Sequence, residues 1–154
     1  MITIKEAKNK AEKLIKVPSL STLGDWVSKE YISGPIDFIC KGRAGGRKGL
    51  YPDNLPVQIA VTQELKTDYK LSEIGEARKK LSGLNLKYFN GSEKLTRQWG
   101  NIKDPEKRVK ELGDEIKKIP SKEENFKEWA TKREYFETYR KFAEKLLKEE
   151  QKAN

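Results

Sequence analysis

The stretch from Val57 to Lys66 constrains this chain most. Val57, Ile59, Val61 and Leu65 share one parity, with Gln63 the only polar interruption. Gln58, Ala60, Thr62, Glu64 and Lys66 occupy the other. Successive side chains of an extended chain point to opposite faces. The spacing therefore predicts a strand with one core-packed face and one polar face, on which Glu64 and Lys66 stand side by side.

The neighbouring segments supply elements to cover that strand. Thr3 and Glu6 make a capping-box pattern, and Ala7, Ala11, Leu14 and Ile15 give one apolar face, which predicts a helix from Ile4 to Lys16, stopped by Pro18. A short helix after Ser19 and Ser21 buries Leu23, Trp26, Val27 and Tyr31, and Ser33-Gly34-Pro35 breaks it. Ile36–Lys41 reads as a strand, and Gly42–Leu55, rich in Gly and Arg, as a long loop. A helix begins near Ser72, turns Ile74, Ala77 and Leu81 inward and ends at Gly83, and a further strand is expected over Leu84–Phe89.

The last third reads as a helical hairpin. Asp104 and Pro105 start one helix carrying Val109, Leu112, Ile116 and Ile119, and Pro120 ends it. Ser121 and Glu124 start the next, with Phe126, Trp129, Phe136, Tyr139, Ala143 and Leu146 in a stripe that packs the hairpin or pairs two copies of the chain. The expected fold is a single α/β (α+β) domain over residues 1–154. It has a small mixed sheet flanked by helices within 1–90 and a helical extension over 103–152.

The residues that are missing exclude several enzyme chemistries. The 154 residues include no histidine and one cysteine, Cys40. Intrachain disulfides, Cys/His zinc sites and Ser-His-Asp or Cys-His catalysis are thereby removed. A bound metal would need oxygen ligands, which selects hard ions such as Mg²⁺ or Mn²⁺. No apolar run approaches 18 residues and no secretory block follows Met1, so a soluble, cytoplasmic chain without a membrane partner is expected.

Charge is concentrated in the first two thirds. The formal net charge is +9, and Lys103–Asn154 holds 15 basic and 13 acidic residues, leaving +7 on the first 102. Between Asp37 and Asp53 lie Lys41, Arg43, Arg47 and Lys48 with no acid among them. A basic chain with such a cluster most often meets nucleic acid, its Arg and Lys side chains reaching phosphates or base edges.

Asp37, Asp53, Glu64 and Lys66 are the residues with catalytic potential. Carboxylates holding Mg²⁺ can polarise a phosphodiester and activate water, and a neighbouring lysine can orient that water and offset developing charge. An acid, any residue, then Lys occurs five times in the chain, so the tripeptide carries no weight alone. Only the copy at Glu64 ends an alternating apolar run downstream of candidate aspartates. Pro52-Asp53, ten residues, then Glu64-Leu65-Lys66 resembles the spacing of the PD-(D/E)xK nucleases, the superfamily of many type II restriction endonucleases, over about residues 1–90.

That resemblance implies a restriction-endonuclease-like core and a Mg²⁺- or Mn²⁺-dependent endonuclease acting on double-stranded DNA. Cutting two strands with one site per chain calls for a homo-oligomer, for which the C-terminal helix stripe is a candidate interface. Asp37 or Asp53 would be the first metal ligand, Glu64 the second, and Lys66 the group beside the attacking water. The alternative is a non-catalytic nucleic-acid-binding protein that uses the basic Gly/Arg loop, and a third reading is a helical module engaging a protein partner through Trp129, Phe136 and Tyr139.

Overall fold

A computed structural model describes residues 1–40, 47–83 and 126–153. Their order is α1 (Ile4–Glu12), α2 (Leu20–Ser28), β1 (Asp37–Cys40), β2 (Arg47–Leu50), α3 (Leu55–Leu65), α4 (Leu71–Gly83) and α5 (Phe126–Ala153). At a coarse level this is the expected mixture of helix and sheet. Leu84–Phe89, Asp104–Ile119 and the Ser121–Glu124 cap lie outside the described residues.

The caps read from the sequence form. Thr3 Oγ1 accepts from the Glu6 N–H at 3.2 Å, and Glu6 Oε1 accepts from the Thr3 N–H at 3.2 Å, which satisfies two donors at the start of α1. Ser19 Oγ accepts from the Thr22 N–H at 3.3 Å and starts α2. Regular α1 ends at Glu12, four residues short of Lys16, in a turn where the Leu14 and Ile15 N–H groups both donate to the Ala11 carbonyl.

The expected strand over Val57–Lys66 is instead helix α3, and this changes the architecture. Every residue from Leu55 to Thr62 is buried, Gln58 and Thr62 included. A helix surrounded by protein has no polar face, so its sequence loses the 3.6-residue period that marks an amphipathic helix. Pro56 in the first turn and a length of 11 residues suit a helix, since strands average about five or six.

Two apolar clusters meet on α3. Val57, Ala60, Val61 and Leu65 pack with Ile74 and Ala77 of α4 and with Tyr135, Phe136, Tyr139, Phe142, Ala143 and Leu146 of α5. Leu55 and Ile59 pack with Ile2, Ala7, Ala11, Leu23, Trp26 and Ile32. α3 is thus the spine between the N-terminal helices and the C-terminal one. Phe136, Tyr139, Ala143 and Leu146, expected as a hairpin or intersubunit stripe, are filled from within the same chain.

The sheet is smaller than expected. Among the described residues it has two antiparallel strands, with no mixed sheet, and β2 falls inside the segment read as loop. Asp37 faces Leu50, Phe38 faces Gly49, Ile39 faces Lys48 and Cys40 faces Arg47. An Ile2–Tyr51 bridge, with N–H···O bonds of 3.1 and 2.7 Å, ties the base of this ribbon to the chain's start.

Candidate nucleic-acid interface

The described residues do not bring the proposed catalytic group together. Asp53 and Glu64 lie near opposite ends of α3, and eleven residues at about 1.5 Å each put them roughly 16 Å apart along the axis. Asp53 is buried, with Oδ1 2.9 Å from the Met1 amino group. Glu64 is exposed, and Lys66, exposed too, caps the end of the helix with its N–H on the Thr62 carbonyl. Residues two apart on a helix do not face each other, so Glu64 and Lys66 diverge where a strand would have aligned them.

Asp37 opens β1 on the solvent side, with Oδ1 accepting from the Phe38 N–H at 2.8 Å. Among the described residues no three His, Cys, Asp or Glu side chains are placed to share a metal ion. A buried aspartate paired with an ammonium and an exposed glutamate at the far helix end do not fit a Mg²⁺ or Mn²⁺ site. The helix that stands where a strand was expected over Val57–Lys66 separates these residues.

The basic ribbon holds together better. Arg47 and Lys48 stand on β2, while Lys41 and Arg43 lie outside the described residues. The Arg47 guanidinium sits over the Phe38 ring, 4.4 Å from its centroid, which fixes an exposed cation on the ribbon face. Lys48, on the other face, lies close to Glu6. The Thr3 hydrogen bonds chiefly hold the Glu6 carboxyl below its ordinary range, and Lys10 and Lys48 add to the effect. All four residues of β1 are exposed, and Ile36, Phe38 and Ile39 keep 49, 44 and 46% of their surface open.

No family model, curated protein or solved structure matches this chain. The interface must therefore be read from its own geometry. α2 precedes the ribbon, buries Leu23 and Trp26 against the body, and leaves Leu20, Ser21, Asp25 and Ser28 exposed. Two short helices joined by a turn, with a β-ribbon following, place a helix face and a cationic strand pair at the surface of one small body.

Sequence reading missed one group at this surface. Arg78 of α4, only 9% exposed, bonds the turn that joins α2 to the ribbon. The available signal was its spacing, because Arg78 lies four residues beyond Ile74 and next to Ala77, on the buried face of α4.

Proposed function

We propose that this protein binds double-stranded DNA without cutting it, with the β1–β2 ribbon gripping phosphates and α2 facing the bases. The observation that carries this reading is the ribbon itself: a strand pair exposed along β1, with Arg47 stacked on Phe38, inside a segment holding four cations and no acid between Asp37 and Asp53. The B-DNA major groove admits an α-helix or a two-stranded ribbon, whereas the A-form RNA major groove is too deep and narrow for side chains to read. Helix-turn-helix proteins place the second helix in that groove with its N-terminal residues at base edges, and here those residues are Leu20 and Ser21.

The test is fluorescence anisotropy with a labelled 30-bp duplex of random sequence, titrated at several salt concentrations. Each neutralised phosphate contributes about −0.9 to the slope of log K against log[salt], so an Arg43→Ala/Arg47→Ala double variant should flatten it by about 2. Glu64→Ala should leave binding unchanged. An unaltered slope in the double variant would remove the ribbon from the interface. Mg²⁺-dependent cleavage of plasmid DNA, lost in Glu64→Ala, would restore the nuclease reading, and equal affinity for an RNA duplex would overturn the preference for DNA.

A further inference from the structure

The geometry points to Arg78 and Gln58 as positioning residues that set the pose of α2 relative to the ribbon, and so decide which duplex sequences the protein prefers. The inference rests on the duplex-DNA reading. The turn after α2 is short and tightly held. Glu30 adopts a left-handed backbone with φ 62°, and four residues take the chain from there to Ser33. One guanidinium grips three acceptors in that turn: Arg78 Nη2 donates to the Glu30 carbonyl at 3.0 Å, Nε to the Tyr31 carbonyl at 3.3 Å, and Nη1 to Ser33 Oγ at 3.2 Å.

This grip is electrostatically apt, because the carbonyl end of a helix carries partial negative charge. The planar fork also fixes direction, which a lysine ammonium cannot reproduce. α4 comes close enough for such a bond because it passes the turn at Gly75. A Cβ built there would stand 3.1 Å from Tyr31 Cα and 3.2 Å from the Glu30 carbonyl oxygen.

The second hold comes from α3. The Ser33 N–H donates to Gln58 Oε1 at 2.8 Å, Gln58 Nε2 donates to Asn54 Oδ1 at 3.0 Å, and Asn54 Nδ2 donates to the Tyr139 hydroxyl at 3.1 Å. Asn54 and Gln58 are wholly buried and Tyr139 nearly so. Segment 30–33 is therefore bonded to both α3 and α4, and through Asn54 to α5. Neither Arg78 nor Gln58 is exposed enough to meet DNA. Their effect is on angle: base reading requires geometry held within about 0.5 Å and 10–20°, while phosphate attraction does not.

That difference separates positioning from charge and from bulk stability. Wild type, Arg78→Lys, Ser33→Ala and Phe142→Leu would each be bound to a random-sequence 30-bp duplex pool. The recovered sequences are enriched, and affinity for the enriched duplex is divided by affinity for the pool. Phe142→Leu is a core control that removes none of the turn's hydrogen bonds, and melting temperatures are measured for all four. Arg78→Lys should lower the ratio at least tenfold while keeping the salt slope on the pool. Ser33→Ala, which removes one acceptor, should lower it several-fold and serves if Arg78→Lys does not fold. Phe142→Leu should keep the ratio.

A ratio within twofold of wild type in both turn variants overturns the inference. So does an equal loss in Phe142→Leu, or a wild type that binds the pool without enriching any sequence. A wild type that does not bind the pool at all refutes the DNA-binding reading itself.

Discussion

Replacing Gln58 by Leu tests the fold at the point where sequence pattern and structure part. On a half-exposed strand Gln58 would face water, and the substitution would change stability little. On α3 it is fully buried and bonded on both sides of its amide. Leu fills similar space but gives the Ser33 N–H no acceptor and removes the donor that Asn54 Oδ1 has at 3.0 Å. Leaving the Ser33 N–H without its acceptor costs about 1–3 kcal/mol and losing the Gln58–Asn54 bond about 0.5–1.5 more; the apolar side chain recovers part of that, so a net loss of about 1–3 kcal/mol is expected. At about 2–4 °C per kcal/mol for a chain of this size, the melting temperature should fall by roughly 2–12 °C. Equilibrium urea unfolding followed by tryptophan fluorescence measures the loss, since Trp26 of α2 is buried in the core. A Gln58→Leu protein within about 0.5 kcal/mol of wild type, below that range, would refute the buried amide and the helix that holds it.

Four further outcomes follow from the same structure. Gly24→Ala should stabilise by about 0.8–1 kcal/mol, because a Cβ there meets nothing within 4 Å and helix propensity alone acts. Gly75→Ala should do the opposite by about 1–3 kcal/mol, because its Cβ would press on backbone atoms of Tyr31 and Glu30; thermal melts that show the same sign for both would contradict the structure. Burial pushes the Tyr135 and Tyr139 hydroxyls well above their ordinary range, with Arg78 opposing slightly at Tyr135 and Asn54 at Tyr139. The folded protein thus holds protons that the unfolded chain releases near pH 10, so stability is intact below that pH. It should fall above it by about 1.4 kcal/mol per pH unit for each phenol. Tyr139→Phe should halve the slope in pH-dependent unfolding. Thr3→Ala removes the α1 cap and should cost about 0.5–2 kcal/mol by urea denaturation.

Local signals were legible wherever one residue acts on its own backbone. The Thr3/Glu6 box and the Ser19 cap start helices where the sequence places them, and α4 buries Ile74 and Ala77 as expected. α3 was not legible by period, because burial on every side erases the contrast that period detects. Its β-branched Val57, Ile59, Val61 and Thr62 add a strand-like composition. The better cue was Pro56 after Asp53-Asn54, a helix start rather than a strand. β2 was hidden for the opposite reason: Arg47-Lys48-Gly49-Leu50 has no alternation, and its strand geometry comes from pairing with β1. The Glu64–Lys66 alignment went with the strand, since it exists only in an extended chain and Leu55–Leu65 is helical.

A two-stranded ribbon is marginal in water when it stands alone, and this one is anchored at its base by the Ile2–Tyr51 bridge and braced on one face by the Phe38–Arg47 stack. The exposed Ile36, Phe38 and Ile39 would ordinarily invite pairing between copies, the hazard of an open strand edge. Here cations occupy the same segment. Arg47 and Lys48 on the ribbon oppose such pairing electrostatically, and the net +9 of each chain acts in the same sense. The same charges favour a polyanion. On the duplex-DNA reading, the phosphate backbone brings opposite charge to a surface whose apolar side chains then gain cover inside a groove.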